Sequence, residues 1–237
     1  MSEIALARTA PDLETRSMPA LAPVLRLDGI SKRWPKVPSP VLADVSLGVE
    51  PGSLVFIGGA NGVGKTTLLR VAAGLIAPDS GEIRVGGLHP ARDRRAYQSR
   101  VGFLPAGTSG LYARLTVAAH LRLWSRLAML PRGRREHAIE ATAACFDLEP
   151  LLERRVDRIS MGQRQRVRLA MSFLHEPALV LLDEPLTSLD DAGAELLTGA
   201  LGELAARGGA ALWCAPDPAG ASFDRSYWLE HGELTPA

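Results

Sequence analysis

The chain has 237 residues, which is enough for one large or two small domains with a sizeable buried core. Its 27 Lys and Arg residues are balanced by 26 Asp and Glu residues, so no net electrostatic field attracts nucleic acid or an anionic membrane. No apolar run approaches the roughly 18 residues that a membrane span needs. We therefore expect a soluble protein that would need a partner for any role in a membrane.

The first part of the chain changes from irregular to strand-like. Residues 1–23 mix Ala, Pro, Thr, Ser and single charges without periodicity, which predicts a flexible leader. Apolar stretches over 24–27, 41–49 and 53–57 follow, and Pro and Gly separate them. This pattern predicts an antiparallel layer that leads into the strand before the next motif, and 81–87 predicts another short strand closed by a turn.

A glycine-rich motif follows the apolar strand 54–57 and precedes the helical pattern 67–73. The motif reads Gly59, Ala60, Asn61, Gly62, Val63, Gly64, Lys65, Thr66, Thr67 and fits the phosphate-loop pattern GxxxxGK[ST]. The glycines let backbone N–H groups converge on phosphate oxygens, and the following helix aims its positive dipole end at the same anion.

Two side chains of this motif add the remaining chemistry. Lys65 would supply a point charge for the outer phosphates, and the hydroxyl of Thr66 would ligate Mg²⁺. A glycine-rich turn without any ligand is the alternative. The position between strand and helix favours a binding site for a nucleoside triphosphate.

Three helical patterns occupy the middle of the chain. Thr116 caps the first, which stops at Pro131, and the second presents one apolar face from Ala138 to Leu148. The third follows Ser160. Basic runs in this region, including 164–168, are interpreted as solvated helix faces.

The last third of the chain alternates between strands and a helix. An apolar run over 178–182 predicts a central parallel strand. A helix over 192–206 and a strand over 210–214 follow, and 227–229 predicts a last strand. The two cysteines, Cys145 and Cys214, are typical of small buried groups in a reducing compartment.

Two carboxylates end the central strand. Ligands bind at the carboxyl ends of parallel strands, so Asp183 would hold Mg²⁺, commonly through water. Glu184 would polarise the water that attacks the phosphate. An ordinary acidic loop after a strand is the alternative, which the upstream phosphate loop disfavours.

The residues before that strand resemble the signature motif LSGGQ of the nucleotide-binding subunits of ATP-binding-cassette (ABC) transporters. Ser160, Gly162 and Gln163 match it, whereas Ile159 and Met161 replace Leu and Gly. With the phosphate loop, Asp183-Glu184 and Leu189-Asp190, the resemblance covers about residues 24–234.

The resemblance implies an α/β fold: a P-loop NTPase core with an antiparallel β layer and an inserted α-helical subdomain over about 112–176. Residues 24–237 would form a single nucleotide-binding domain. Such domains bind ATP and Mg²⁺ between the phosphate loop of one subunit and the signature motif of a second, in a homo- or heterodimer.

The resemblance also implies roles for three further residues. Ser160, at the start of its helix, would donate to the γ-phosphate of the ATP held by the opposite subunit. Asp190 would lie at the dimer seam. Trp34 would stack on adenine, although a partly buried surface tryptophan is the alternative.

Two positions depart from the family pattern. The glutamine expected after the strand before the helical insertion falls on Ala106, or on Gly107 if the loop gained a residue. The histidine expected after the last central strand falls on Pro216, and His175 and His231 are interpreted as surface residues. Losing one preorganised donor typically costs about 10²–10³ in rate. We therefore expect ordinary ATP binding and slow turnover.

The resulting hypothesis is an energy-coupling subunit at the cytoplasmic face of the membrane, with a membrane-spanning permease as partner. The permease would dock in a groove between the core and the helical insertion, bordered by 110–116. That segment resembles those of exporters. A binding-only regulatory subunit is one alternative. A soluble switch that acts on nucleic acid is another, disfavoured by the balanced charge and the single cassette.

Overall fold

The chain is described from a computed structural model that covers residues 22–35, 37–218 and 221–237. Most of the predicted leader, residues 1–21, lies outside the described residues. The strands of the described residues are β1 Leu25–Lys32, β2 Leu42–Val49, β3 Leu54–Gly58, β4 Ser80–Val85, β5 Val101–Leu104, β6 Leu179–Asp183, β7 Ala210–Cys214, β8 Arg225–Glu230 and β9 Glu233–Pro236. The α-helices are α1 Lys65–Ala72, α2 Arg94–Gln98, α3 Val117–Leu127, α4 Arg132–Cys145, α5 Met161–Phe173 and α6 Asp191–Ala206.

The strands form two sheets. β2, β1 and β4 pair antiparallel in that order, so the antiparallel layer predicted before the phosphate loop also includes β4, which follows that loop in the chain. The second sheet has the order β5-β6-β7-β3-β8-β9, in which the strands from β5 to β8 are parallel. Every residue of β6 and β7 is buried, which explains why both appear in the sequence as continuous apolar runs.

The predicted strand 227–229 lies within β8, but it is not the last strand, because β9 pairs antiparallel with β8 at the edge of the sheet. Three of the four residues of β9 are exposed and it carries Glu, Thr and Pro, so it has no apolar run that could reveal it. The turn between the two strands contains His231, which has a positive φ of 50°.

The large sheet separates two hydrophobic clusters. Leu179 and Leu181 belong to the cluster beneath the antiparallel sheet and α1. Val180 and Leu182 belong to the cluster beneath α3, α4, α5 and α6. Alternate residues of a strand point to opposite faces, so a single buried strand supplies both cores. The C-terminal end of β6 therefore has a fixed position between the two layers.

The helices of the middle region begin and end close to the predicted positions. Thr116 caps α3 by accepting a hydrogen bond from the N–H of Ala119 at 3.1 Å. The second pattern stops short of Leu148, because α4 ends at Cys145 and Asp147 adopts a positive φ of 49°. No helix of the described residues has the length and apolarity to cross a bilayer.

Candidate functional site

The phosphate loop joins β3 to α1 and is packed against distant parts of the chain. A Cβ atom on Gly59 would lie 2.6 Å from the carbonyl oxygen of Leu229, and one on Gly64 would lie 2.8 Å from Val41. Both glycines also have positive φ, at 142° and 123°. These positions therefore require glycine for backbone conformation and for packing inside the chain, in addition to any approach of a ligand.

Lys65 begins α1 and is 5% exposed. Its ammonium donates to the carbonyl oxygens of Gly59 at 2.5 Å and Ala60 at 3.0 Å. An ammonium has three donors, so one remains for a phosphate oxygen. No side chain caps this end of the helix, which leaves the N–H groups of the first turn to a ligand or to water.

The predicted magnesium ligands lie together. The hydroxyl of Thr66 donates to a carboxylate oxygen of Asp183 at 2.7 Å, and Asp183 is 2% exposed at the end of β6. No group of three His, Cys, Asp or Glu residues in the described part of the chain could hold a metal. Two hard oxygen donors beside a phosphate loop fit Mg²⁺, which commonly takes few protein ligands and completes its shell with phosphates and waters.

Cys214 lies beside Asp183 in the pairing of β7 with β6. Burial, and next the charge of Asp183, raise the pKa of the Cys214 thiol well above its ordinary value. The thiol therefore stays protonated and acts as a small apolar group, as its sequence context predicts.

Trp34 lies beside the end of the phosphate loop. Its indole N–H donates to the hydroxyl of Thr67 at 3.4 Å, and the ammonium of Lys32 lies 5.7 Å from the ring centroid. The side chain is 36% exposed, which leaves ring surface accessible. Stacking of this ring on adenine stays a prediction. The ring lies beside the phosphate loop, where such stacking would take place.

Glu184 directly follows β6 with a positive φ of 49°, and its N–H donates to the carbonyl oxygen of Cys214 at 2.8 Å. Its half-buried side chain lines a cavity of about 120 Å³ together with Trp213 and Pro216. The position that lacks the expected histidine therefore lies against the same cavity as the predicted catalytic carboxylate. Proline supplies no hydrogen-bond donor there.

The signature residues begin α5. The hydroxyl of Ser160 accepts from the N–H of Gln163 at 3.1 Å, and the amide oxygen of Gln163 accepts from the N–H of Ser160 at 3.0 Å. This capping box holds an exposed serine at a helix N-terminus. A Cβ on Gly162 would lie 3.1 Å from the carbonyl oxygen of Ser188. Among the described residues, no hydrogen bond joins Ser160 to the phosphate loop.

Asp190 caps α6 by accepting from the N–H of Gly193 at 2.9 Å. Its position at a dimer seam stays a prediction, and the side chain has this structural role within the single chain.

The interpretation of 164–168 as a solvated helix face is wrong for Arg168, which is 5% exposed. Its guanidinium donates to the carbonyl oxygens of Pro105 and Gly107 and to the side chain of Gln165. Gln165 and Ser172 are buried on the same face of α5. In the sequence their spacing of three and four residues puts these polar residues on one stripe of the helix, but nothing in that pattern marks the stripe as buried.

His175 is also misinterpreted as a surface residue. It is half-buried, one ring nitrogen lies 3.1 Å from the carbonyl oxygen of Val101, and burial lowers its pKa. It lines an apolar groove of about 440 Å³ between the large sheet and the helices. Leu75, Phe103 and Trp124 line the same groove, whereas the segment 110–116, predicted to border it, is not part of its wall.

Comparisons with known proteins find one protein family whose model, described as "ABC transporter", matches residues 42–187. The chain is 40% identical over 147 residues to the "ABC transporter ATP-binding protein NatA" of Bacillus subtilis, covering 62% of this chain and 60% of the relative. It is 33% identical over 190 residues to the "Probable multidrug ABC transporter ATP-binding protein YbhF" of Escherichia coli, covering 80% of this chain and 33% of the relative. The chain thus spans between a third and three fifths of the length of these two relatives.

A similar solved structure is described as "Structure of ATP binding subunit of ABC transporter". It has a TM-score of 0.81 at 30% identity and covers 89% of this chain and 88% of that one. A dimeric post-hydrolysis structure of the ATP-binding cassette MJ0796 has a TM-score of 0.79 at 22% identity, with coverage of 89% and 96%, and supports the fold alone. The predicted fold, a P-loop NTPase core with an antiparallel layer and inserted helices, is confirmed.

Proposed function

The chain belongs to the ABC transporter family, and on that premise we propose that it is an ATP-binding and ATP-hydrolysing subunit of a transporter. One observation carries the proposal: Lys65, Thr66 and Asp183 meet where the phosphate loop adjoins the carboxyl end of β6. This is the position at which an α/β sheet binds its ligand.

The residues of the chain would divide the work as follows. Lys65 and the first N–H groups of α1 bind the phosphates, and Thr66 and Asp183 hold Mg²⁺. Bound Mg²⁺ neutralises charge on the phosphate oxygens. Glu184 accepts the proton of the attacking water from its half-buried position after β6.

Hydrolysis would require a second cassette. Ser160 is exposed at the N-terminus of α5, where a helix binds anions best, yet it forms no hydrogen bond to the phosphate loop among the described residues. A γ-phosphate held by another subunit would accept hydrogen bonds from the hydroxyl of Ser160 and from the first N–H groups of α5. The second cassette is either another copy of this chain or a related subunit, and ATP between the two holds them together.

The energy would pass to a membrane-spanning permease, which makes the chain a peripheral protein of the cytoplasmic face. The groove beside Leu75, Phe103 and Trp124 offers an apolar surface for such a partner. We propose export as the direction, supported by the segment 110–116 and by the relative named as a probable multidrug transporter protein. Import is the alternative, since the "Taurine import ATP-binding protein TauB" of Pseudomonas entomophila is 35% identical over 170 residues.

A binding-only regulatory cassette is the second candidate function. Ala106 and Pro216 favour it, because neither supplies a polar side chain near the reacting phosphate. In that case a partner subunit would hydrolyse ATP with the help of Ser160 from this chain.

Calorimetry with MgATP tests the proposal through Lys65→Ala. We expect the affinity to fall about 10- to 100-fold, since a hydrogen bond to a charged group contributes about 1.5–3 kcal/mol. Arg70→Ala is the matched control, because it removes an exposed cation from the same helix. Equal affinity of wild type and Lys65→Ala for MgATP would contradict the proposed site.

A second experiment addresses the partner. The chain is isolated from detergent-solubilised membranes with and without ATP. Co-purification of a multi-span protein supports transport, whereas bound RNA or DNA would support the switch that acts on nucleic acid.

A further inference from the structure

A buried polar chain connects the loop after β5 to the loop after β6. It begins at the loop after β5, which contains Ala106, and passes through α5 to Pro185, the residue after Glu184. Its members are Arg168 and Gln165, and neither lies in the phosphate loop or in the signature motif.

Arg168 joins the loop after β5 to α5. Its guanidinium donates to the carbonyl oxygens of Pro105, at 2.5 Å, and Gly107. Among the described residues it forms no ion pair with a carboxylate. A buried cation without a carboxylate is costly unless its donors are satisfied, so these carbonyl oxygens have to stay in place around it. Arg168 thereby fixes the backbone on both sides of Ala106.

Gln165 extends the connection to the other loop. Its amide oxygen accepts from Arg168 at 2.6 Å, and its amide nitrogen donates to the carbonyl oxygen of Pro185 at 2.9 Å. If the amide were flipped, its NH₂ group would face the N–H groups of Arg168 and its oxygen would face the carbonyl oxygen of Pro185. Neither pair could form a hydrogen bond, so the two contacts fix one orientation of the amide. Gln165 is 5% exposed, so water does not readily replace either hydrogen bond if one is broken.

We propose that Arg168 and Gln165 are positioning residues that hold Glu184 and the loop around Ala106 in one fixed arrangement. The inference rests on the proposed ATP hydrolysis. Ala106 and Gly107, at the position of the expected glutamine, have no side chain that could bind Mg²⁺ or water. At this position the loop can therefore contribute only backbone atoms, and their placement depends on Arg168. Displacing a reacting group by about 1 Å can cost about 10²-fold in rate.

The test is steady-state hydrolysis and calorimetric binding of MgATP by Arg168→Met and Gln165→Met. We expect kcat to fall about 10- to 100-fold, while the KM and Kd for MgATP change less than about twofold, because neither residue touches the binding half of the site. Rates are normalised to protein that binds ATP, which removes any loss of folded material.

Two conservative variants keep the test decisive if a methionine variant folds poorly. Arg168→Lys keeps the charge and reaches one carbonyl, so we expect it to restore part of kcat. Gln165→Glu still accepts from Arg168 but cannot donate to Pro185, so we expect a low kcat. The thermal midpoint, measured alongside, establishes that the variant is folded at the assay temperature. The matched control is Arg166→Met, which also removes a cation from α5. The guanidinium of Arg166 pairs with the carboxylate of Asp147 at 2.7 Å and is not part of the chain formed by Arg168 and Gln165.

The double variant Arg168→Met with Gln165→Met should be no slower than the worse single variant, because both changes break one chain. Multiplicative effects, or wild-type kcat in Gln165→Glu, would overturn the inference. A wild-type protein that neither binds nor hydrolyses MgATP would instead overturn the proposed function.

Discussion

The two halves of the candidate site are built by different means. The half that we propose for phosphate binding is held by buried groups: Lys65 and Asp183 are at most 5% exposed, Gly59 packs against Leu229 of β8, and Gly64 packs against Val41 just before β2. The half that we propose for hydrolysis is formed by Glu184 and by the loops that carry Ala106 and Pro216. Ala106 is half-buried and Pro216 is exposed, so we expect a substitution at either position to disturb the fold less than one among the buried groups of the other half. Binding and turnover can therefore vary separately in this architecture.

The largest effect is expected from Glu184→Gln, in the half proposed for hydrolysis. We expect turnover to fall about 10²-fold or more, because a general base contributes about 10²–10⁴, while MgATP affinity stays unchanged. The ATP-bound dimer should live longer, as measured by light scattering after size-exclusion chromatography.

Glu176→Gln provides the control, since it makes the same change at an exposed ion pair with Arg134. Such pairs contribute little. If Glu184→Gln leaves turnover and dimer lifetime unchanged, the site does not hydrolyse ATP at a useful rate, and the binding-only alternative gains support.

A smaller effect is expected from restoring the family side chains through Ala106→Gln with Pro216→His. One preorganised donor contributes about 10²–10³ in rate. Because these loops are not shaped for the new groups, we expect kcat to rise about tenfold, with Kd for MgATP unchanged.

Ala106→Met with Pro216→Leu is the corresponding control, which adds side chains of similar bulk without polar atoms. Equal rates for wild type and the restored variant would show that the two departures do not limit turnover.

The smallest effect concerns Trp34 at the edge of the binding half. Trp34→Ala should weaken MgATP binding about 3- to 10-fold, in line with the about 0.5–1.5 kcal/mol of an aromatic pair. Trp34→Tyr should retain most of the affinity. Calorimetry with inorganic triphosphate separates the roles, since a ligand without adenine should bind wild type and Trp34→Ala equally. A loss with both ligands would indicate that Trp34 supports the loop through Thr67 instead.

Much of the fold follows from the sequence because periodicity and end signals agree. The buried strands β6 and β7 appear as apolar runs, and Thr116 and Ser160 cap helices where predicted. The edge strand β9 was not predicted, because its mostly exposed residues show no alternation of apolar and polar side chains.

The candidate site shows the same limit. Thr66 and Asp183 could be paired from motifs, since each has its own sequence signature. The contacts of Arg168 could not be predicted, because its guanidinium donates to the carbonyl oxygens of Pro105 and Gly107. Every residue has a backbone carbonyl, so the sequence does not show which ones accept a hydrogen bond from a side chain. Charge alone suggests a solvated arginine, and only tertiary packing reveals the buried one.

The packing of Gly59 against Leu229 and of Gly64 against Val41 has a consequence for biosynthesis. The cradle for the phosphates is shaped by contacts from both ends of the described chain, so a ribosome-bound fragment that lacks β8 has the motif without its support. Nucleotide affinity should therefore emerge only when translation of the cassette is nearly complete, which makes ligand capture a reporter of finished folding.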